Sequence, residues 1–214
     1  MSKVKVTTVT LAAATIIMVA VACPFYANRP KALSISLAEY INAVEEPADV
    51  DEPTFNKVLL VRPIEVDCRL RGPFSPNKAF RGKFPEEFRQ GAIAYFRLKR
   101  RFAKVDTSSG DLSLIVKLVG YEGADGKSPR LAVKVDMKLF NLVTGPELLV
   151  GIVESSFLPV TPKKLKKLVR VPVGEKEWIL KEGTLTLARI CTSIFKRMDE
   201  QMVKNRELIL KQIQ

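Results

Sequence analysis

Residues 111–157 read DLSLIVKLVGYEGADGKSPRLAVKVDMKLFNLVTGPELLVGIVESSF. Apolar and polar residues alternate over 111–121 and, more cleanly, over 131–140, which is the period of strands with one buried face. The glycines and the proline of 122–129 predict an exposed hairpin loop between these strands, and 147–157 predicts a further strand. Because each strand has one apolar and one polar face, we expect an antiparallel sheet that is covered on one side only.

Two helices are predicted, one on each side of this stretch. The first begins at Pro85, because proline fits the first turn of a helix and the two glutamates after it complement the positive helix end. The longest helix follows Gly183 and Thr184, and its apolar residues have the 3,4 spacing of a buried stripe. These residues are Leu187, Ile190, Cys191, Ile194, Phe195, Met198 and Met202. Residues 204–214 are expected to continue this helix beyond the domain or to fray.

The order of the elements predicts an α+β fold. A first strand is expected over 57–68, a loop over 69–83 and a brief strand over 103–106. Residues 158–181 are basic and are expected to be irregular, with their tryptophan as an anchor on the core. We therefore predict a two-layer sandwich, in which two helices pack on one mostly antiparallel sheet of four to five strands. This single α+β domain would span residues 57–214 and end in the long helix.

The first 23 residues have the layout of an export signal. Lys3 and Lys5 form a short positive region, and a run without charge extends from residue 6 to residue 22. A run of this length is about one or two residues short of an ordinary bilayer-spanning helix. We therefore predict that residues 1–22 are a signal peptide and that the rest of the chain is exported.

The end of this leader, Ala20-Val21-Ala22-Cys23, resembles the lipobox of bacterial lipoproteins, in which the cysteine is diacylated and becomes the first mature residue. The family prefers leucine where Ala20 stands. The resemblance implies that Cys23 is the lipid-attachment site. An ordinary secretory signal and an uncleaved anchor helix are the alternatives, and all three place residues 24–214 outside the cytoplasm or on a membrane surface.

Residues 23–56 carry four prolines and a cluster of acidic side chains. Because like charges repel and proline disfavours regular structure, we predict a flexible, solvated tether between the membrane and the domain. The acidic residues are Glu45, Glu46, Asp49, Asp51 and Glu52. Residues 37–44 have a weak helical pattern, which leaves open that they dock on the domain.

The chain is strongly basic, with 35 Lys plus Arg against 23 Asp plus Glu and a net charge of +12. Only Lys3 and Lys5 would be lost with the leader, which leaves about +10 on the exported part. Such a charge favours anionic partners such as lipid headgroups, lipopolysaccharide, acidic glycans or nucleic acid. Because the chain is predicted to be exported, we expect no nucleic-acid partner.

The chain contains no histidine, which excludes histidine-based triads and histidine metal sites. It also contains no glycine-rich phosphate loop, no G-x-S-x-G and no C-x-x-C. Two paired carboxylates, Glu86-Glu87 and Asp199-Glu200, are expected on helix surfaces, where they would be solvated. We therefore expect a protein that is not an enzyme, with no catalytic residue, no cofactor and no metal.

The cysteines leave two interpretations open. With Cys23 acylated, Cys68 and Cys191 remain, an even number in an oxidising compartment. A disulfide between them and two separate small apolar side chains are equally compatible with the sequence, because spacing alone does not show whether their Cα atoms approach.

Two basic clusters are candidates for contact with a partner. The first lies at the end of the first helix, where cations oppose the helix dipole and solvate the exposed face; it comprises Arg97, Lys99, Arg100 and Arg101. The second is denser and comprises Lys163, Lys164, Lys166, Lys167 and Arg170. Leu165 and Leu168 give it a slight amphipathic character, so it is a candidate for binding an anionic lipid or lipopolysaccharide surface. The alternative is an ordinary solvated loop.

The turn Leu139-Phe140-Asn141-Leu142-Val143-Thr144-Gly145 resembles the D-x-x-T-G turn of several bacterial envelope lipoproteins, with Asn141 where Asp is common. These are the lipopolysaccharide-assembly accessory lipoprotein, the curli-secretion lipoprotein and the N-terminal domain of the Tol-system translocation protein. The resemblance extends over residues 57–205 as a pattern of elements. Hairpin chemistry alone explains the turn, because Asn141 can bond to the backbone that follows it and Gly145 supplies a positive φ.

The resemblance implies a non-enzymatic, membrane-tethered lipoprotein on the periplasmic face of a bacterial membrane, acting as an accessory or structural component of an envelope assembly or transport system. By similarity, Pro24 after the cysteine is compatible with delivery to the outer rather than the inner membrane. The partners would be the membrane, through lipid at Cys23, and a larger envelope protein complex. One alternative is a carrier of lipid or lipopolysaccharide, which predicts an apolar groove. The other is a secreted hydrolase, which predicts a cleft with two convergent carboxylates.

Overall fold

The structure, a computed structural model, describes residues 35–66, 78–125, 128–157, 167–173 and 176–213. Four helices and eight strands lie in these ranges. In chain order they are α1 (Leu37–Val44), β1 (Phe55–Val61), β2 (Glu65–Val66), α2 (Lys78–Leu98), β3 (Phe102–Asp106), β4 (Leu112–Asp125), β5 (Ser128–Asn141), β6 (Glu147–Phe157), β7 (Leu168–Val173), β8 (Lys176–Lys181), α3 (Glu182–Lys204) and α4 (Arg206–Ile213).

Strands β1 to β6 form one mixed sheet in the order β3-β1-β4-β5-β6, with β2 also paired to β4. The pairs β4–β5 and β5–β6 are antiparallel, as their alternating sequences predict. The pairs β1–β3, β1–β4 and β2–β4 are parallel. The α+β class is confirmed, but the sheet has six strands rather than four to five. The sheet is mixed, although most of its paired residues lie in the two antiparallel pairs, and the described helices number four rather than two.

The parallel pairs follow from the burial of β1 in the middle of the sheet. Its residues Leu59, Leu60 and Val61 are all buried, although successive side chains of a strand point to opposite faces. Burial on both faces is typical of a central parallel strand rather than of a strand in a hairpin. Helix α2 connects β1 and β2 to β3 and supplies the crossover that a parallel pair requires.

Two stretches predicted as irregular contain strands. β4 extends to Asp125 and β5 starts at Ser128, so most of the predicted loop 122–129 is strand. Within 158–181, β7 and β8 form a two-stranded antiparallel sheet. One face of this hairpin packs on the core through apolar side chains, namely Val169, Val171, Trp178 and Leu180. The tryptophan therefore anchors the hairpin, as the sequence predicts.

The core lies between the helices and one face of the sheet. All seven side chains of the stripe predicted for the long helix are buried in α3. Phe195, in this stripe, packs edge-to-face on Phe88 of α2 with ring centroids 4.7 Å apart. Asn205 ends α3, and α4 continues as a separate helix whose Ile209 and Ile213 are buried. The end of the chain therefore belongs to the fold rather than fraying.

Helix α2 starts at Lys78 rather than at the predicted Pro85. The part of the predicted loop that lies in 78–83 is thus helical, and Pro85 inside the helix gives up one backbone hydrogen bond. Burial of Phe84 and Phe88, whose ring centroids lie 6.0 Å apart, offsets this loss. Residues 69–77 of the predicted loop lie outside the described residues.

An ordered helix lies within the predicted tether. Ser36 and Glu39 form a capping box at the start of α1, in which the Ser36 hydroxyl accepts from the Glu39 amide at 3.2 Å and the Glu39 carboxylate accepts from the Ser36 amide at 2.8 Å. These bonds hold the pKa of Glu39 below its usual range. Leu37, Tyr40 and Ile41 are buried in the same core as the sheet. The folded unit therefore includes part of the predicted tether.

Helices α1 and α2 run in the same direction. Near the start of α1, the Leu37 amide donates to Glu87 Oε2 at 3.1 Å. Just after the end of α1, Glu45 lies 3.2 Å from Lys99 Nζ, beyond the end of α2. The contacts thus advance along both helices together.

Helices α2 and α3 also run in the same direction. Phe88 packs on Phe195, and Arg101, just beyond the end of α2, pairs with Asp199 further along α3. The three helices therefore point in the same direction, and α1 begins beside Gly91, in the middle of α2. We call the end of the fold at which α2 and α3 begin the entry pole.

The β7–β8 hairpin lies at the entry pole as well. β8 ends at Lys181 and α3 begins at Glu182 without an intervening loop. The Glu182 amide donates to the carbonyl oxygen of Lys167 at 2.8 Å, which holds the start of the hairpin on the start of the helix. The hairpin therefore lies at the end of the fold where α3 begins.

The docking of α1 on α2 is testable at Gly91. A Cβ at this position would lie 2.7 Å from two side-chain atoms of Leu37 and 3.2 Å from Phe195. We expect Gly91→Ala to destabilise the protein, because an overpacking cost of about 1–3 kcal/mol exceeds a gain in helix propensity of about 1 kcal/mol. In a Leu37→Ala background the same substitution should be neutral or stabilising. Chemical denaturation of the wild type, the two single variants and the double variant measures the effect of Gly91→Ala on the free energy of unfolding in each background. An equal effect in both backgrounds would show that α1 does not lie on α2.

Candidate interaction surfaces

The side chains of the first basic cluster bond to other parts of the fold. Arg97 donates through Nε and Nη2 to the carbonyl oxygen of Val105 in β3, at 3.2 and 2.9 Å. Lys99 pairs with the Glu45 carboxylate at 3.2 Å and donates to the carbonyl oxygen of Glu46 at 2.8 Å. These bonds tie the end of α2 to the edge of the sheet and to the segment after α1. They stabilise the fold, while Arg97 remains exposed at the surface.

The other two arginines of this cluster have internal partners too. Arg100 has a φ of 49°, the left-handed conformation that ends α2, and donates to the carbonyl oxygen of Val50 at 2.8 Å. Arg101 pairs with both oxygens of Asp199, at 2.8 and 3.0 Å, and this bond raises the pKa of Arg101. Burial and the Asp199 charge raise the pKa of the Tyr95 hydroxyl. Asp199 is thus buried, whereas the sequence predicted a solvated helix surface.

The second basic cluster is on the surface where the structure describes it. Lys167 and Arg170 are exposed at the start of β7. The Arg170 guanidinium lies 3.6 Å from the Glu177 carboxylate of β8, and their side chains are 72% and 56% exposed. Ion pairs this exposed contribute little, so the pair leaves Arg170 available to another anion. The members of the cluster outside the described residues are Lys163, Lys164 and Lys166.

Cross-strand pairing adds a cation that the sequence did not indicate. Leu168 pairs with Lys181, and Arg170 with Ile179. Because side chains alternate along a strand, these four point away from the core, opposite to the buried Leu180. Lys181 lies eleven positions after Arg170 in the sequence, so only the hairpin brings the two together. We call this surface the outer face; it comprises Leu168, Arg170, Glu177, Ile179 and Lys181, together with the exposed Lys167 at its edge, just before β7.

A groove of about 360 Å³ lies between β6 and α3. Arg197 and Gln201 line it and donate to the carbonyl oxygens of Glu154 and Ile152 in β6. Two carboxylates line the groove, those of Glu154 and Glu200, and both side chains are exposed. The hydrolase alternative predicts an enclosed, convergent pair of carboxylates, and the carrier alternative predicts an apolar lining. This groove has neither property.

The turn after β5 has the chemistry predicted from its sequence. Asn141 Oδ1 accepts from the amides of Val143 and Thr144 at 2.9 and 3.3 Å, and Gly145 has a φ of +86°. Asn141 is buried, and its Nδ2 donates to the carbonyl oxygen of Gln212 in α4 at 3.1 Å. The same side chain therefore shapes the turn and holds the last helix, a contact that the sequence did not predict.

The three cysteines lie in different situations. Cys191 is buried in the stripe of α3, and burial raises the pKa of its thiol. Cys23 and Cys68 lie outside the described residues. Lipid attachment at Cys23 and a disulfide between Cys68 and Cys191 both stay predictions.

In the described ranges, no group of three or more histidine, cysteine, aspartate or glutamate residues is arranged to hold a metal ion. No helix in this part of the chain is both long enough and apolar enough to span a membrane.

Comparison with known proteins adds weak structural similarity. No family model and no curated protein matches the chain. A solved DUF330-family protein from Xanthomonas campestris has a TM-score of 0.49 at 10% identity, covering 72% of this chain and 87% of that chain. A hypothetical protein from Chlamydia trachomatis has a TM-score of 0.47 at 7% identity, covering 72% of this chain and 98% of that chain. Similarity at these TM-scores and identities indicates neither a family nor a function for this chain.

Substitution of Asn141 separates its two roles. We expect Asn141→Ala to cost about 1–3 kcal/mol, because it removes an acceptor in the turn and a donor to α4. Asn141→Asp should keep the acceptor in the turn, but it places an acceptor opposite the carbonyl oxygen of Gln212 and should therefore loosen α4. Gly145→Ala should strain the turn by about 1–2 kcal/mol and leave α4 docked.

Hydrogen exchange at Ile209 and Ile213, with denaturation midpoints, distinguishes these cases. Both Asn141 variants should exchange faster at these amides, and Gly145→Ala should not. Unchanged exchange in Asn141→Asp would show that the bond to Gln212 does not hold α4.

Proposed function

We propose that the protein is a membrane-tethered lipoprotein on the periplasmic face of a bacterial membrane, the outer membrane rather than the inner. It acts there as a non-enzymatic accessory or structural component of an envelope assembly or transport system. Its partners are the membrane, through lipid on Cys23, and a larger envelope protein complex. Support comes from the predicted export signal, the lipobox-like segment and the position of α1, the first helix that the structure describes.

The position of α1 carries the proposal. Its capping residue Ser36 is separated from Cys23 by only twelve residues. Even fully extended, this segment spans no more than about 45 Å. A lipid on Cys23 would therefore keep the start of α1 within about 45 Å of the bilayer, as expected for a domain that works at a membrane surface.

The direction of the helices then determines which surfaces are available. With the entry pole toward the membrane, the end of α3 and the start of α4 at Arg206 face the periplasm. A protein partner would approach from that side or along the flanks of the sheet. The function would be binding at a fixed distance from the bilayer.

Intact mass spectrometry tests the proposal. Protein purified from membranes of its native host should have the mass of residues 23–214 plus acyl chains, because cleavage after Ala22 and acylation of Cys23 occur together in lipoproteins. Cys23→Ser should lose the added mass, and the matched control Cys68→Ser should retain it. A native chain with the mass of unmodified residues 23–214, or of unmodified residues 1–214, would refute lipidation.

A further inference from the structure

We propose that the outer face of the β7–β8 hairpin binds anionic phospholipid headgroups of the membrane to which the chain is attached. This inference rests on the proposed function, because it requires the entry pole to face the bilayer. It adds a second membrane contact, made by side chains of the folded unit rather than by lipid.

The first argument is the composition of the outer face. Lys167, Arg170 and Lys181 are exposed cations, and Glu177 is the acidic member of the face. Leu168 is 53% exposed among these cations. Basic side chains around an exposed apolar one suit the headgroup region of a bilayer, where phosphates meet the first apolar groups.

The second argument is where the hairpin stands. Leu37, at the start of α1, lies level with Phe195, because both contact the position of Gly91. The hairpin joins α3 at Glu182, thirteen residues before Phe195, which is about 20 Å along a helix axis. The hairpin therefore stands about 20 Å beyond the start of α1, and it meets the bilayer when the entry pole faces the membrane. The chain between Cys23 and Ser36 is long enough to span this distance.

The third argument is that the hairpin is held in place. Trp178 and Val171 of its inner face pack on the core, and Leu180 is buried. The bond from the Glu182 amide to Lys167 fixes its base on α3. The outer face therefore lies on a hairpin that is already fixed to the core. Headgroup binding does not have to order this segment.

Hydrogen exchange of the full chain in vesicles tests the inference. The chain is reconstituted in phosphatidylcholine vesicles and in vesicles of phosphatidylcholine with phosphatidylglycerol, and exchange is read by mass spectrometry over 167–173 and 204–213. We expect the hairpin amides to exchange at least about tenfold more slowly with phosphatidylglycerol present. High salt should abolish this protection, because the headgroup charge is then screened. Exchange over 204–213 should not change.

Two triple variants make the test specific. Lys167→Gln with Arg170→Gln and Lys181→Gln should lose the protection. Lys204→Gln with Arg206→Gln and Lys211→Gln removes the same charge from exposed positions at the opposite end and should keep it. The emission of Trp178, the single tryptophan of the chain, reports whether the hairpin stays folded in each variant.

The outcomes are distinct from those of the mass measurement. The two vesicle types differ only in phosphatidylglycerol, so slower exchange of the hairpin reports headgroup binding whether or not Cys23 is acylated. Equal exchange of the hairpin in both vesicle types overturns the inference. Equal loss of protection in the two triple variants also overturns it, because the net charge of the chain would then explain the binding.

Discussion

The structure depends on the contact between the apolar stripe of α3 and the core face of the sheet. Ile194, Phe195 and Met198 are inaccessible to solvent, and each side chain of this kind contributes about 1.5–3 kcal/mol on burial. Because the apolar side chains of α3 form one stripe, this stripe determines which side of the helix faces the sheet. Phe195 then provides the surface on which α2 packs through Phe88, with α1 beside it. The shared direction of the three helices, and hence the entry pole, follows from this contact.

Charge in this protein has two roles, and the neighbours of each residue decide between them. Arg101 meets the buried carboxylate of Asp199, so its charge joins α3 to the turn before β3. Arg170 meets only the exposed Glu177, so its charge remains available at the surface. A basic cluster in a sequence therefore does not identify an interaction surface. The supporting evidence for the outer face is its exposure and its position at the entry pole.

The elements that the sequence predicted are those whose pattern is local. Alternation defined β4, β5 and β6, and the 3,4 spacing defined the stripe of α3. Parallel pairing was missed because its partners are distant in sequence, as Leu59 and Leu112 are. Helix α1 was interpreted as tether because its acidic neighbours resemble a solvated linker, yet Glu45 lies between Lys99 and Lys196. On the outer face, Lys167 and Arg170 were predicted, whereas Lys181 joins them only through hairpin register.

The membrane-proximal arrangement requires that α1 belongs to the folded unit. Digestion of the native full-length chain with a glutamate-specific protease, followed by mass spectrometry, tests this most directly. Glu39 lies within α1, and Glu45 follows it and is held by two lysines. We predict that both sites are cut only as fast as the domain unfolds, because α1 must leave the core before a protease can bind its backbone. Cleavage at both sites at the rate of an unfolded peptide, with the rest of the domain intact, would contradict the docking of α1 and support a flexible tether over 23–56.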